Sequence, residues 1–266
     1  MEQSDGAAPR TSRFDRTREW GDRTHRRFWW HQHAGRALTP PVYSWLDDDE
    51  WAVLSDWFAD TERRNLIGEM TVPMISVLQG FVMGSGIRSI VQLGHFAGYS
   101  TLLIGFMLRR MGGERGLASI DINPGITDYT RSWVDRAGLS AYVSLVVGDS
   151  ASPASRDAAL ASLGRAPRLV VIDSSHQYAH TLRELDLWWE SLAPGGLLFL
   201  HDTSDDARSF DKTGQGGVRC ALDQWLAARP AIPGVILDGS PQADRRAAYA
   251  DGCGLAILQK PIAVKP

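Results

Sequence analysis

The stretch Ser89-Ile90-Val91-Gln92-Leu93-Gly94-His95-Phe96-Ala97-Gly98-Tyr99-Ser100-Thr101 decides the fold of this 266-residue chain. Ile90 and Val91 are β-branched and apolar, and the run up to Leu93 has the length and composition of a short buried strand. Gly94 and Gly98 bracket a tight turn. Beyond it Leu102, Leu103, Phe106 and Met107 recur at helical spacing, so the stretch reads strand, glycine turn, helix. Unpaired N–H groups at the helix start and two positions without a Cβ suit such a junction to binding a ligand. The Gly-x-x-x-Gly spacing alone also fits a plain structural joint.

Further along, Leu117-Ala118-Ser119-Ile120-Asp121 is a second short apolar run. Its terminal carboxylate falls 27 residues after Gly94, where an adenosine ribose needs an acceptor for its hydroxyls. From 89 onward strand and helix patterns alternate, which predicts a doubly wound α/β sheet. Helices are expected over 124–138, 156–163, 182–192 and 217–228. Strands are expected over 142–147, 168–172 and 197–200. Asp121, Asp173 and the His201-Asp202 pair mark strand ends, the edge at which open α/β sheets bind ligands. The runs 234–238 and 254–258 are joined by a polar stretch without an amphipathic helix, so the last strand is expected to be antiparallel. The fold class is a seven-stranded, mostly parallel sheet with an antiparallel last strand and an N-terminal helical addition.

Three segments follow: a flexible leader over 1–36, a helical cap over 37–88 and the main domain over 89–266. The leader carries acids at Glu2, Asp5, Asp15, Glu19 and Asp22 and lacks an apolar core, unlike a secretory or organelle presequence. In the cap, Asp47-Asp48-Asp49-Glu50 puts negative charge at a helix start, ahead of an apolar stripe of Trp51, Leu54, Trp57 and Phe58. Pro73 suits the first turn of a second helix over 71–83.

A formal charge of −3 with 22% charged residues argues against nucleic acid and membrane partners. No apolar run approaches the ~20 residues of a membrane span. Cys220 and Cys253 have no metal-site spacing and fit a reducing cytoplasm. The Trp-rich cap leaves room for a homo-oligomer.

The motifs Val91-Gln92-Leu93-Gly94-His95-Phe96-Ala97-Gly98-Tyr99-Ser100-Thr101, Ser119-Ile120-Asp121, Val147-Gly148-Asp149-Ser150 and Val171-Ile172-Asp173 together resemble those of class I S-adenosylmethionine-dependent methyltransferases. Asp173-Ser174-Ser175-His176-Gln177-Tyr178-Ala179-His180 and Gly195-Gly196-Leu197-Leu198-Phe199-Leu200-His201-Asp202-Thr203 resemble a narrower branch, the macrolide-sugar O-methyltransferases and the cephalosporin hydroxylase-like methyltransferases. The resemblance implies that Gly94, His95, Phe96, Gly98 and Ser100 hold the methionine part of S-adenosylmethionine. It assigns the ribose to Asp121, the adenine edge to Asp149 and Ser150, and places Asp173 at the site. Gln92 stands where many relatives carry Glu, which implies a neutral contact near the cofactor amine.

Methyl transfer needs an aligned nucleophile and a group to take its proton. His176, three residues past the Asp173 strand tip, is the candidate base, with Asp173 beside it. His180, one helical turn on, would orient it or face solvent. The resemblance further implies a divalent ion, commonly Mg²⁺, on Asp173, His201 and Asp202. Histidine at 201, where an acid is expected, argues for a weaker Mg²⁺ site, a softer ion or no metal. The expected acceptor is a hydroxyl of a small natural product or sugar, with pocket walls from the cap and the loop 203–217. Two alternatives stand beside this reading: a protein that binds the cofactor without transferring methyl, and a dinucleotide oxidoreductase. The latter calls for a longer glycine fingerprint and a parallel last strand.

Overall fold

The computed structural model describes residues 31–33, 36–239 and 248–262. Most of the expected leader, residues 1–30, lies outside them. Its end forms a short antiparallel hairpin, β1 (His31–His33) with β2 (Arg36–Leu38).

Three helices come next: α1 (Pro41–Ser44), α2 (Asp48–Arg63) and α3 (Val72–Gly84). The α/β alternation then runs β3 (Ile90–Leu93), α4 (Tyr99–Arg110), β4 (Leu117–Asp121), α5 (Pro124–Arg136), β5 (Val143–Val147), α6 (Pro153–Leu163), β6 (Leu169–Ile172), α7 (Tyr178–Ser191) and β7 (Leu197–His201). A 3₁₀ turn at Asp206–Phe210, α8 (Gly217–Ala227), β8 (Gly234–Leu237) and β9 (Leu255–Gln259) complete it.

The main sheet has seven strands in the order β5-β4-β3-β6-β7-β9-β8. β9 inserts between β7 and β8 and runs antiparallel to both, as expected of the last strand. The parallel last strand of the dinucleotide alternative is therefore absent. The chain winds outward from β3 through β4 to β5, then returns to lay β6 on the other side of β3. That reversal opens a crevice at the carboxyl ends of β3 and β6.

Strand periodicity divides the core into two layers. Ile90, Leu117, Leu169, Val171 and Phe199 face α4 and the cap helices. Val91, Leu93, Ala118, Ile120, Val170 and Leu198 face α6, α7 and α8. β3 and β6 are buried along their whole length, which is why both read as uninterrupted apolar runs.

α4 is buried from Tyr99 to Leu108 because the cap covers its outer side. Asp47 and Glu50 form a capping box at the start of α2. The Glu50 carboxylate, itself buried, also accepts from Arg109 and Arg110 at the far end of α4. At the near end the Tyr43 and Tyr99 hydroxyls share a hydrogen bond of 2.7 Å, and Trp57 Nε1 donates to the Ala97 carbonyl at 2.7 Å. The cap is thus fastened to the glycine turn itself. Among the described residues no helix is long and apolar enough to cross a membrane.

Candidate active site

A cavity of about 570 Å³ opens at the crevice, walled by the glycine turn, the tips of β4, β5 and β6, and the cap segment 67–70. Its form follows from two glycines. Gly94 has φ +84°, and a Cβ there would stand 2.0 Å from the Asp173 carbonyl oxygen. Gly98, at φ +96°, would drive a Cβ to 2.8 Å from Thr130 Cγ2. Between them Phe96 adopts φ +42°, costly for an aromatic residue. It is held there because its N–H donates to Asp121 Oδ2 at 3.0 Å while its carbonyl accepts from Thr130 Oγ1 at 2.7 Å.

The expected cofactor residues Gly94, His95, Phe96, Gly98, Ser100, Asp121, Asp149, Ser150 and Asp173 all line this one cavity, together with His176. One of these, His95, and the neighbouring Gln92 contribute differently from the sequence reading. His95 is buried, with Nδ1 3.1 Å from Ser119 Oγ and Nε2 3.0 Å from Thr127 Oγ1. Burial pushes its pKa down to about 4, outweighing the nearby Asp121 charge, so the ring is a neutral tie between β3, β4 and α5 with no nitrogen left for a ligand. Gln92 is fully buried; its amide donates to Ser100 Oγ at 2.6 Å and to the Gly94 carbonyl, and accepts from Thr101. It braces the turn from behind instead of facing a cofactor amine.

Asp121 receives the N–H groups of Phe96 and Asn123, one on each oxygen. Each oxygen keeps a second lone pair, enough for a vicinal diol. Asp149 Oδ1 accepts from the Ala151 N–H and from His180 Nε2, both at 2.9 Å. His180 therefore neither orients His176 nor points to solvent, as the sequence left open. Glu69, Asp121, Asp149 and Asp173 give the cavity an acidic lining, suited to a ligand carrying positive charge.

His176 has φ +59°, as does Asp202. His176 Nε2 lies 3.0 Å from Asp202 Oδ2, and its ring packs against Phe210 with centroids 5.8 Å apart. Burial would lower the His176 pKa, but the hydrogen bond and charge of Asp202, with Asp173 behind, raise it overall. Two non-glycine residues in the left-handed region in direct contact beside a cavity are the kind of strain that collects at functional sites. The sequence marked both residues without revealing that they pair.

The implied metal set meets a different environment. Donor atoms of Asp173, His176 and Asp202 lie within 4.8 Å of one another, and so do those of His201, Asp202 and Cys253. His201 Nδ1 sits 3.3 Å from Asp173 Oδ1 and 3.6 Å from Asp202 Oδ2, while Nε2 faces Asp251 Oδ2 at 3.4 Å. Burial opposes charge on this ring, yet three surrounding carboxylates raise its pKa well above the ordinary imidazole range. A doubly protonated ring has no lone pair to offer an ion. His201 sits among the carboxylates of Asp173, Asp202 and Asp251, and Mg²⁺, which selects oxygen ligands, fits a set containing this imidazole poorly. Asp251, held by Thr71 Oγ1 at 2.6 Å and the Tyr249 hydroxyl at 2.8 Å, escaped the sequence reading because it lies in the tail.

Residues 91–203 match the model of a protein family described as a methyltransferase domain. No curated protein matches the chain. Among solved structures it is similar to an O-methyltransferase from Bacillus cereus in complex with S-adenosylhomocysteine, with 19% identity, a TM-score of 0.60, and coverage of 79% of this chain and 91% of that one. It is also similar to the O-methyltransferase TomG from Streptomyces achromogenes, involved in tomaymycin synthesis and bound to S-adenosylmethionine: 17% identity, TM-score 0.61, 81% of this chain and 91% of that one. A methyltransferase of Podospora anserina bound to S-adenosylhomocysteine aligns at 14% identity and a TM-score of 0.56, covering 81% and 88%.

Proposed function

We propose that this chain, whose residues 91–203 match a methyltransferase-domain model, is a class I S-adenosylmethionine-dependent methyltransferase that methylates a hydroxyl oxygen of a small, secondary-metabolic acceptor, with His176 as general base. The observation that carries this reading is the His176–Asp202 pair at 3.0 Å, whose His176 member lines the cavity that contains Gly94. The two similar O-methyltransferases, one of them involved in tomaymycin synthesis, support an oxygen acceptor.

S-adenosylmethionine, when bound, supplies an activated methyl whose S–C bond breaks as the acceptor C–O bond forms. The protein does the rest. Gly94 and Gly98 leave the cradle free of Cβ atoms, Asp121 takes the ribose hydroxyls and Asp149 the base, which fixes where the methyl projects. Asp202 accepts Nε2–H of His176, so Nδ1 is the nitrogen left to receive the acceptor proton as the oxygen attacks. A protonated His201 would offset the charge of Asp173 and Asp202 behind the site.

Purified protein incubated with methyl-labelled S-adenosylmethionine and a panel of phenolic, alcoholic and sugar acceptors tests the proposal. Label transfer to oxygen, lost in His176→Asn, is the expected result. Transfer only to nitrogen or carbon acceptors, or turnover unchanged in the variant, refutes it.

A further inference from the structure

One face of α7 is polar where an interior helix would ordinarily be apolar. His180, Glu184 and Trp188 follow one another at four-residue spacing, so they stack along one side of the helix. All three grip the tip of β5. His180 Nε2 holds Asp149 Oδ1 at 2.9 Å, Glu184 accepts from Ser150 Oγ, and Trp188 Nε1 donates to the Ser150 carbonyl at 2.8 Å. Glu184 is wholly buried and also accepts from Ser174 Oγ at 2.7 Å, tying the β6 tip to the same post.

We propose that His180 is a positioning residue for the nucleobase of the cofactor: clamped between Asp149 and Glu184, it fixes the Asp149 carboxylate so that Oδ2 meets an exocyclic amine. This rests on reading the cavity as the S-adenosylmethionine pocket. Both contacts to Asp149, from His180 and from the Ala151 N–H, fall on Oδ1, which leaves the lone pairs of Oδ2 for a ligand donor.

The clamp works best with a charged ring. His180 Nδ1 is buried 3.3 Å from Glu184 Oε2, off the line of a good hydrogen bond, so the contact is one of charge. Burial disfavours the imidazolium, but Glu184 and Asp149 together raise its pKa. A neutral ring protonated on Nε2 would turn a lone pair toward a buried carboxylate. The charged groups facing His180 are Asp149 from the β5 tip and Glu184 from its own helix, with Arg183 acting on Asp149. On the flanking helices Arg156 pairs with Asp157 and Arg219 with Asp223.

The test is calorimetric binding of S-adenosylhomocysteine between pH 6 and 9 to the full chain, His180→Ala and His180→Gln, alongside kcat at saturating cofactor. Loss of a hydrogen bond to a charged group should weaken binding to His180→Ala by about tenfold or more while kcat stays within about twofold. Wild-type affinity should fall as pH rises and the ring loses its proton. His180→Gln, which can still donate to Asp149, should bind with no such slope. Equal affinity in wild type and His180→Ala, a flat wild-type profile, or a loss confined to kcat overturns the proposal. Should His180→Ala fail to fold, the wild-type and His180→Gln profiles decide. Absence of any binding to wild type removes the cavity reading first; binding to wild type with no response at 180 removes this inference alone.

Discussion

Replacing His176 by Asn tests the proposed base most sharply, because Asn tolerates the left-handed backbone that φ +59° imposes. Ala would add about 1–2 kcal/mol of conformational strain and confuse the result. The side chain is about a third exposed, and its contacts are Asp202 and the Phe210 ring, so global stability should change little. A positioned base contributes roughly 10²–10⁴-fold, or about 3–5 kcal/mol of barrier. We therefore expect kcat to fall by at least about a hundredfold with S-adenosylhomocysteine affinity unchanged. The pH profile gives a second reading. Asp202 and Asp173 raise the His176 pKa against burial, so the base is protonated below that value. Activity should then fall as pH drops through a limb above 6.5, the ordinary imidazole value. Asp202→Asn keeps the backbone but removes the charge, and the limb should move down. Turnover within threefold of wild type in His176→Asn (about 0.6 kcal/mol), or a limb indifferent to Asp202→Asn, would show that another group takes the proton.

Gly94→Ala should abolish cofactor binding and destabilise the fold: its Cβ, 2.0 Å from the Asp173 carbonyl oxygen, must part β3 from β6 by about 1 Å before reaching even a tight contact. Denaturant titration with a ligand-binding assay reads both effects. Trp57→Phe should cost about 1–3 kcal/mol through the unpaired Ala97 carbonyl and weaken S-adenosylhomocysteine binding, the latter measured by calorimetry. His201→Asn should destabilise by roughly 3–5 kcal/mol in denaturant melts, because Asp173, Asp202 and Asp251 lose their common cation. With a raised folded-state pKa, the stability His201 contributes is present below the unfolded imidazole value and is lost as pH rises through the folded value. His201→Asn should lack that alkaline loss.

The strands and their tips were legible because a buried parallel strand needs an unbroken apolar run and a β-to-α turn needs glycine. The polar part of the inner face of α7 was not. Leu182, Leu185, Trp189 and Leu192 mark its apolar face and pack on the core, yet the helix also buries Thr181, Glu184 and Trp188. A carboxylate satisfied by two serines and a histidine can occupy a position that hydropathy assigns to solvent. The start of α6 was also missed, although Ser152 and Pro153 form an ordinary N-terminal signal. The pairing of His176 with Asp202 depends on two positive φ angles, and Asp251 reaches His201 only because β9 runs antiparallel beside β7. Neither fact is written in residue types alone.

A structure with S-adenosylhomocysteine bound would show whether this cavity holds the cofactor with its sulfur facing His176. We expect the ribose on Asp121, the base against Asp149, and the sulfur opening toward His176 within the same cavity. A ligand seated elsewhere, or a His176 ring turned from the sulfur while Asp202 stays in place, would contradict it.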